Sequence, residues 1–300
     1  MKCEIEEFIG YLHNTRGTSR NTEVSYERDL KKLEKFLTEE GIKNVEQINA
    51  TLLNSYVMHM ERQNFAASSI SRSIASIRAF FYFLCRERGW KENPAENLKA
   101  PKIEKRLPGV LTIEEVDLLL KQPKENTAKG IRDRAMLELL YATGIRVSEL
   151  ISLTIKDINL KLGYITCSHK EKERVIPFGS AAKRWVEHYM EGARTELLGG
   201  QESEMLFLNC SGKSMSRQGF WKVLKSYAEA AGIQQDITPH TLRHSFAAHL
   251  VQNGADLKSV QEMMGHADIS TTQIYMNMNI NKIRDVYMKA HPRRDRKSVV

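Results

Sequence analysis

The hydrophobic positions of the first hundred residues recur with the spacing of amphipathic helices. Two stretches carry apolar residues three and four positions apart, which places them on one face of a helix. These residues are Tyr26, Leu30, Leu33 and Leu37 in the first stretch and Ile70, Ile74, Ile77, Phe81 and Leu84 in the second. Ser19 or Asn21 can cap the first helix, and Ser68 or Ser69 the second. With a third helix over residues 51–62, the pattern predicts a small helical bundle.

This pattern stops at Asn93-Pro94, because proline lacks the amide hydrogen and disfavours a helix in the residue before it. Residues 99–109 then contain two prolines, one glycine and four basic side chains. The composition predicts a linker, either a solvated hinge or a segment that tracks a phosphate backbone. We therefore predict a helical domain over residues 1–98, a basic linker over 99–111 and a second domain over 112–300.

The second domain opens with Thr112 and Glu115, which have the spacing of a capping box. Residues 163–168 and 173–178 resemble two short strands around the polar turn 169–172, and 206–209 are a candidate third strand. The remaining pattern predicts helices over 181–194, 216–231, 239–253, 257–264, 270–276 and 279–290. The predicted fold class is mainly α, with a helical first domain and a mixed second domain that holds a small antiparallel sheet.

Composition excludes several classes of protein. The chain has 300 residues, 41% of them apolar and 27% charged, which is typical of a globular protein with two domains. The longest apolar run, residues 79–85, is too short to span a bilayer, and the charged start lacks the apolar stretch of a signal peptide. Cysteines at 3, 85, 167 and 210 form no Cys-x-x-Cys pair. We expect a cytoplasmic protein with reduced cysteines.

Charge indicates the kind of partner. The net charge is +8, and residues 1–100 contribute only +1 of it, from 15 basic and 14 acidic side chains. The second part of the chain holds 30 basic and 23 acidic side chains, a net charge of +7. Such a basic excess is compatible with a polyanionic partner and equally with an ordinary soluble protein.

Three segments carry candidate chemistry. Arg146 follows a glycine turn at a helix entrance, where it can bind a phosphate or form a surface ion pair with Glu149. His240 and Arg243 lie three apart on a helix that Pro239 opens. His240 and His244 have the spacing of a zinc hydrolase, but that motif needs a glutamate where Thr241 stands. The third segment has a Gly-His turn at His266 and a tyrosine at 275.

In chain order, these segments resemble the catalytic signature of the tyrosine recombinases, also called the phage integrase family. The matching positions are Arg146, Lys172, His240, Arg243, His266 and Tyr275. Residues 68–111 and 286–293 are similar to Xer-type recombinases, so the resemblance covers nearly the whole chain. It implies a SAM-like core-binding domain and a catalytic domain. The usual glycine before the lysine turn is absent, which keeps Lys170 open as an alternative to Lys172, and Met264 replaces a leucine.

The resemblance implies that DNA is cleaved without a metal or a cofactor. Tyr275 is the implied nucleophile, which forms a 3′-phosphotyrosyl bond, and His240 is the implied acceptor of its proton. Arg146 and Arg243 are expected to bind the non-bridging phosphate oxygens. Lys172 is expected to protonate the leaving 5′ oxygen.

The resemblance also implies other contacts with DNA. His266 would hydrogen-bond the phosphate, and Glu149 would orient Arg146. The side chains expected to bind the DNA backbone are Lys99, Lys102, Lys105, Arg106 and Arg174.

Assembly is the last expectation. Family resemblance implies a clamp on double-stranded DNA and a homo- or hetero-tetramer on two sites, with a septal DNA translocase as a further candidate partner and no membrane. One face of the last predicted helix is apolar, formed by Ile280, Ile283, Tyr287 and Ala290. This face either docks on a neighbouring protomer or packs on its own domain.

The leading interpretation is an Xer-type recombinase that resolves chromosome dimers at a dif-like site. A transposon or phage integrase is an alternative with the same chemistry, and a type IB topoisomerase would share the nucleophile without needing a defined site. A non-catalytic helical DNA-binding regulator is the alternative from another class. The complete set of six signature residues favours an enzyme.

Overall fold

The computed structural model describes residues 1–102, 109–169, 172–265 and 287–292. The chain divides into two compact units, Met1–Arg106 and Leu107–Val300. Both units are mainly helical, and the second contains a three-stranded antiparallel sheet. The predicted fold class is confirmed. None of the helices in the described ranges is long and apolar enough to cross a membrane.

The first unit is a four-helix bundle. Its helices are α1 (Lys2–Asn14), α2 (Arg20–Glu39), α3 (Ala50–Arg62) and α4 (Ala67–Arg88). All five apolar positions predicted for α4 are buried, as are Leu30, Leu33 and Leu37 of α2, whereas Tyr26 is half-buried. Ser19 caps α2 as predicted, because its hydroxyl accepts a hydrogen bond from the Thr22 N–H at 3.3 Å.

Two features of this unit differ from the sequence prediction. Helix α1, which the apolar pattern did not single out, packs Ile5, Phe8 and Leu12 into the core. Helix α4 begins at Ala67, so the predicted caps Ser68 and Ser69 lie inside its first turn. The apolar face locates a helix, but the first residue with helical backbone angles need not be the nearest residue that could cap it.

A single buried carboxylate connects two helices of the bundle. Asp29 on α2 is 2% exposed and accepts two hydrogen bonds from Arg72 on α4, at 2.7 Å from Nε and 2.9 Å from Nη2. The planar guanidinium matches both carboxylate oxygens, so the buried charge of Asp29 is compensated by an arginine that stays partly exposed to solvent.

The second unit is built around one buried helix. Its helices are α5 (Ile113–Leu120), α6 (Ala128–Thr143), α7 (Val147–Ser152), α8 (Ser180–His188), α9 (Arg194–Leu198), α10 (Arg217–Ala230), α11 (Pro239–Gln252) and α12 (Leu257–Met264). A π-helical turn, Tyr189–Ala193, joins α8 to α9. Helix α6 is buried on nearly every side, and α5, α7, α8, α9 and α11 pack against it. Thr112 and Glu115 form the predicted capping box at the start of α5.

The sheet has the strand order β1-β2-β3, with β1 over Ile158–Asn159, β2 over Tyr164–His169 and β3 over Lys172–Pro177. The predicted hairpin is therefore present. The third strand is β1 and not residues 206–209, so that part of the prediction is wrong. The backbone of 206–209 has only an isolated bridge between Leu208 and Ser214.

Side chains explain why this segment is not a strand. The carbonyl of Leu206 accepts a hydrogen bond from Arg194 Nε at 3.3 Å, and that of Leu208 accepts one from Arg132 Nη1 at 3.0 Å. The Leu208 N–H donates to the Tyr189 hydroxyl at 3.2 Å. Buried backbone groups need partners. Here side chains supply several of them, and single backbone contacts supply others, such as the hydrogen bond from the Leu206 N–H to the Leu153 carbonyl at 2.8 Å.

The chain end returns to the core of the second unit. Residues 287–290 are helical, and Tyr287, Ala290 and His291 are at most 2% exposed. The Tyr287 ring stacks on His291 with centroids 4.8 Å apart, and its hydroxyl accepts a hydrogen bond from the Gly179 N–H at 3.3 Å. Two residues of the predicted apolar face therefore pack on their own unit. The other two, at 280 and 283, lie outside the described residues, as does the predicted helix 270–276.

Glycines in two helical stretches allow a test of packing around α6. A Cβ atom at Gly130 would overlap the backbone carbonyl of Lys124, whereas one at Gly192 would meet nothing within 4 Å. We expect Gly130→Ala to lower the free energy of unfolding by ~1 to 3 kcal/mol, the range for overpacking. Gly192→Ala should raise it by up to ~1 kcal/mol, because alanine favours a helix over glycine. Urea unfolding measures both, and equal effects would contradict the packing.

Candidate active site

A glycine turn places Arg146 at the start of α7. Gly144 ends α6 in the left-handed region at φ +60°, where a Cβ atom would collide with the Phe246 ring. Arg146 is the extended residue before α7, and its N–H donates to Glu149 Oε2 at 2.7 Å. A glutamate three residues into a helix satisfies an otherwise unpaired N–H in this way. The turn and the cap together fix the direction in which the Arg146 side chain leaves the backbone.

Arg243 lies on α11 and is only 4% exposed. Its Nη1 donates to the carbonyl oxygen of Gly144, and its Nη2 donates to that of Met264. Burial lowers the pKa of Arg243 to about 10, and the positive charges of Arg146 and Arg174 add to this effect. A guanidinium with so perturbed a pKa is typical of a functional site.

Three consecutive carbonyl groups at the end of α12 each accept a hydrogen bond from a different arginine. Met263 accepts from Arg174 Nε at 3.2 Å, Gly265 accepts from Arg146 Nη2 at 2.8 Å, and the carbonyl between them binds Arg243. The last carbonyls of a helix have no partner within the helix, and they form the negative end of its dipole. The end of α12 therefore gathers the three positive side chains.

Glu149 is the carboxylate of this cluster. Its Oε1 accepts from Arg146 Nη1 at 3.2 Å, and its Oε2 accepts from Arg174 Nη2 at 2.7 Å. Burial opposes its charge, but hydrogen bonds from Arg174 and the Arg146 backbone outweigh that cost and lower the pKa of Glu149. The sequence predicts that Glu149 either forms a surface ion pair with Arg146 or orients it. The geometry fits the second role, because Glu149 binds both the backbone N–H and the guanidinium of Arg146.

The histidines of α11 lie on the same helix as Arg243. His240 is exposed in the first turn, one turn before Arg243, and Thr238 caps the helix that Pro239 opens. His244 is half-buried, and burial lowers its pKa, with His240 and Arg243 contributing further. Over the part of the chain that the structure describes, no group of three His, Cys, Asp or Glu side chains could hold a metal ion.

The other predicted residues are only partly visible. Lys172 begins β3, but its side chain lies outside the described part of the structure, as does Lys170. His266 and Tyr275 also lie outside the described residues, and His266 directly follows Gly265. Lys99 and Lys102 are exposed, whereas Lys105 and Arg106 fall in the undescribed segment 103–108.

Sequence reasoning missed the acceptors that hold the cluster. The carbonyls of Gly144, Met263, Met264 and Gly265 have no side-chain signal, because every residue carries a carbonyl. Among the residues that the structure describes, the cluster contains three guanidinium groups and one carboxylate, a net charge of +2. Such a site fits an oxyanion such as a phosphodiester.

Removal of the Glu149 charge tests this electrostatic balance. We expect Glu149→Gln to lower the free energy of unfolding at pH 7 by ~1.5 to 3 kcal/mol, the value of a hydrogen bond to a charged group. A lowered carboxyl pKa stabilises the fold above the ordinary pKa of 4.5, and this stabilisation is lost as the pH falls through the folded-state value. The difference between variant and wild type should therefore shrink below pH 4.5.

Glu204→Gln is the matched control. Glu204 pairs with Lys156, but both side chains are at least 76% exposed, so we expect no measurable change in stability. Urea unfolding of both variants across the pH range measures the effect. A Glu149→Gln penalty that is independent of pH would contradict the assigned role of the charge.

The chain is similar to known proteins over nearly its whole length. Residues 109–282 match the phage integrase family, and residues 5–88 match the N-terminal SAM-like domain of phage integrases. The tyrosine recombinase XerD of Halalkalibacterium halodurans is 47% identical over 291 residues, which cover 96% of this chain and 97% of that protein.

Solved structures show the same fold. The XerH site-specific recombinase bound to a palindromic difH substrate matches with a TM-score of 0.71 and 20% identity, over 95% of this chain and 83% of that one. A lambda integrase from a tetramer bound to a Holliday junction matches with a TM-score of 0.70 and 19% identity, over 91% of this chain and 76% of that one. Family, relatives and fold agree, and the chain belongs to the phage integrase family as an Xer-type tyrosine recombinase.

Proposed function

We propose that the protein cuts and rejoins DNA at a specific site through a covalent bond between Tyr275 and the 3′ phosphate. The observation that carries this proposal is the cluster of Arg146, Arg243 and Glu149 at the turn that precedes His266. The guanidinium groups of Arg146 and Arg243 lie together before any substrate binds, as a site for phosphoryl transfer requires.

Cleavage begins when the Tyr275 oxygen attacks the phosphorus in line with the 5′ oxygen. The bond from phosphorus to the tyrosine oxygen forms while the bond to the 5′ oxygen breaks. His240 takes the phenol proton, and Lys172 gives a proton to the departing oxygen. A 5′ hydroxyl from another strand then attacks the phosphotyrosine, which restores the phosphodiester and the tyrosine without ATP.

The two arginines stabilise the charge that develops on the non-bridging oxygens. The Arg146 side chain is 35% exposed, so it can reach a bound phosphate. Arg243 is buried next to it and adds its positive charge to the same site. In this scheme His266 donates a further hydrogen bond to the phosphate. Loss of one preorganised donor of this kind typically costs ~3 to 4 kcal/mol in the transition state, or ~10² to 10³ in rate.

The protein binds double-stranded DNA and assembles as a multimer in this proposal. Lys99 and Lys102 are exposed and start the basic segment, which fits contact with the phosphate backbone. We infer domains over 1–98 and 112–300 joined by this segment, and a tetramer like the one named for the lambda integrase. Exchange of the helix 279–290 between protomers requires that Tyr287 leave the core position described above.

The biological role follows from the relatives. Near-full-length similarity to XerD favours resolution of chromosome dimers at a dif-like site in the cytoplasm over integration of a transposon or phage. Regulation by a septal DNA translocase belongs to the same proposal. A DNA-binding regulator without catalysis is the second class, and formation of a covalent adduct separates the two.

Tyr275→Phe tests the nucleophile. We expect the variant to form no covalent adduct on a DNA substrate nicked near the cleavage point, while its affinity for DNA stays near wild type. The hydroxyl supplies the reacting oxygen, whereas the many backbone contacts supply the affinity. Denaturing gels measure the adduct, and gel shifts measure the affinity.

Tyr287→Phe is the matched control for this experiment. Its hydroxyl accepts one buried hydrogen bond from Gly179, so the substitution costs some stability but touches no proposed reacting group. The variant should therefore form adduct as wild type does. An adduct that persists in Tyr275→Phe would remove the assigned nucleophile.

A sulfur substrate tests the lysine. An alkoxide needs a proton to depart, whereas a thiolate, whose thiol has a pKa of ~8.5, does not. If Lys172 is the general acid, Lys172→Ala should cleave ordinary DNA very slowly but approach the wild-type rate when sulfur replaces the bridging 5′ oxygen. Arg146→Ala should show no such rescue. Rescue of Lys170→Ala instead would transfer the role to that residue.

A further inference from the structure

Arg174 is directed into the protein and away from solvent. It lies on β3 two residues after Lys172, opposite Cys167 on β2, and its side chain is 16% exposed. The sequence predicts a DNA contact here, but the guanidinium donates from Nη2 to Glu149 Oε2 at 2.7 Å and from Nε to the Met263 carbonyl at 3.2 Å.

These two hydrogen bonds join three elements of the site. Through Glu149, Arg174 contacts the start of α7, where Arg146 leaves the backbone. Through Met263, it contacts the end of α12, one residue before the carbonyl that binds Arg243. Arg174 thus links β3, the strand that begins at Lys172, to α7 through Glu149 and to the end of α12 through Met263.

Close packing at Gly265 supports the same conclusion. Gly265 has a φ of +61°, and a Cβ atom there would lie 2.8 Å from Arg174 Nη1 and 2.9 Å from its Cζ. The guanidinium therefore lies directly against the backbone of the turn that leads to His266. Displacement of the guanidinium would leave this turn without one of its supports.

We propose that Arg174 is a positioning residue for DNA cleavage and not a DNA contact: it holds Glu149 and the end of α12 so that Arg146 keeps its geometry. The inference rests on the proposed function, because it assigns Arg146 to the phosphate. Lysine in place of Arg174 retains the charge, but one ammonium group cannot reproduce the planar fork that reaches both Glu149 and Met263.

The experiment separates cleavage from binding in the full chain. We expect Arg174→Lys to cleave a saturating nicked substrate up to ~10²-fold more slowly in a single turnover, as small misplacements of catalytic groups do. Its DNA affinity and the salt dependence of that affinity should match wild type. If Arg174 instead binds a phosphate, Arg174→Gln, which removes the charge, lowers the magnitude of the slope of log K against log salt by about 0.9, and Arg174→Lys leaves cleavage at saturation unchanged. That result would overturn the proposal.

Arg184→Gln is the matched control, since Arg184 is an exposed arginine on α8 outside the cluster. It should retain the cleavage rate, the affinity and the thermal midpoint of wild type. Wild-type cleavage by Arg174→Lys would also overturn the proposal. Failure of the wild-type protein itself to form the adduct would instead overturn the proposed function.

A double-mutant cycle tests whether Arg174 acts through Glu149. In the Glu149→Gln background, Arg174→Lys should slow cleavage much less than it does in wild type, because the partner charge is already gone. Additive effects on the rate would overturn this route of action. The sulfur substrate should not rescue Arg174→Lys, since Arg146 acts on the non-bridging oxygens. Rescue would show that Arg174 acts through the general acid, which contradicts the proposal.

Discussion

Guanidinium groups repel one another, and the negative end of α12 is what allows three of them to lie together. Successive carbonyls of Met263, Met264 and Gly265 each accept a hydrogen bond from one arginine. These carbonyls would lack partners at any helix end, so the arginines satisfy them while the helix dipole favours the positive charge. Glu149 supplies a full negative charge. The rest of the active site depends on this arrangement.

The arrangement leaves the cluster prepared for an anion. Arg243 is buried, and the loss of hydration disfavours its charged form and lowers its pKa to about 10. A bound phosphate would offset part of that cost, so binding and charge stabilisation come from the same groups. Two glycines with positive φ make this geometry possible, since side chains at 144 and 265 would collide with Phe246 and Arg174.

The scaffold behind the site follows the same physical rule, that buried polar groups need partners. Arginines 132 and 194 bind the carbonyls of the segment 206–209, which therefore packs on the core without joining a sheet. Helix α6 is buried in the core of the second unit and ends at Gly144. Its C-terminal end thus presents both the carbonyl that binds Arg243 and the turn from which Arg146 emerges.

The local features of this protein were determined by its sequence. Apolar spacing located α2, α3 and α4 of the first unit but not α1, and the pattern predicted α12 over the residues that form it. The Thr112 capping box and the hairpin also depend on residues that are close in the chain, so the sequence predicts them. Tertiary structure decided the rest. Residues 206–209 have the pattern of a strand, but in the fold Arg132 and Arg194 donate hydrogen bonds to their carbonyls. The sequence could not show that the Arg174 guanidinium lies against Glu149 and Met263. A sequence shows which groups can donate or accept, but only the fold brings groups far apart in the chain within hydrogen-bonding distance.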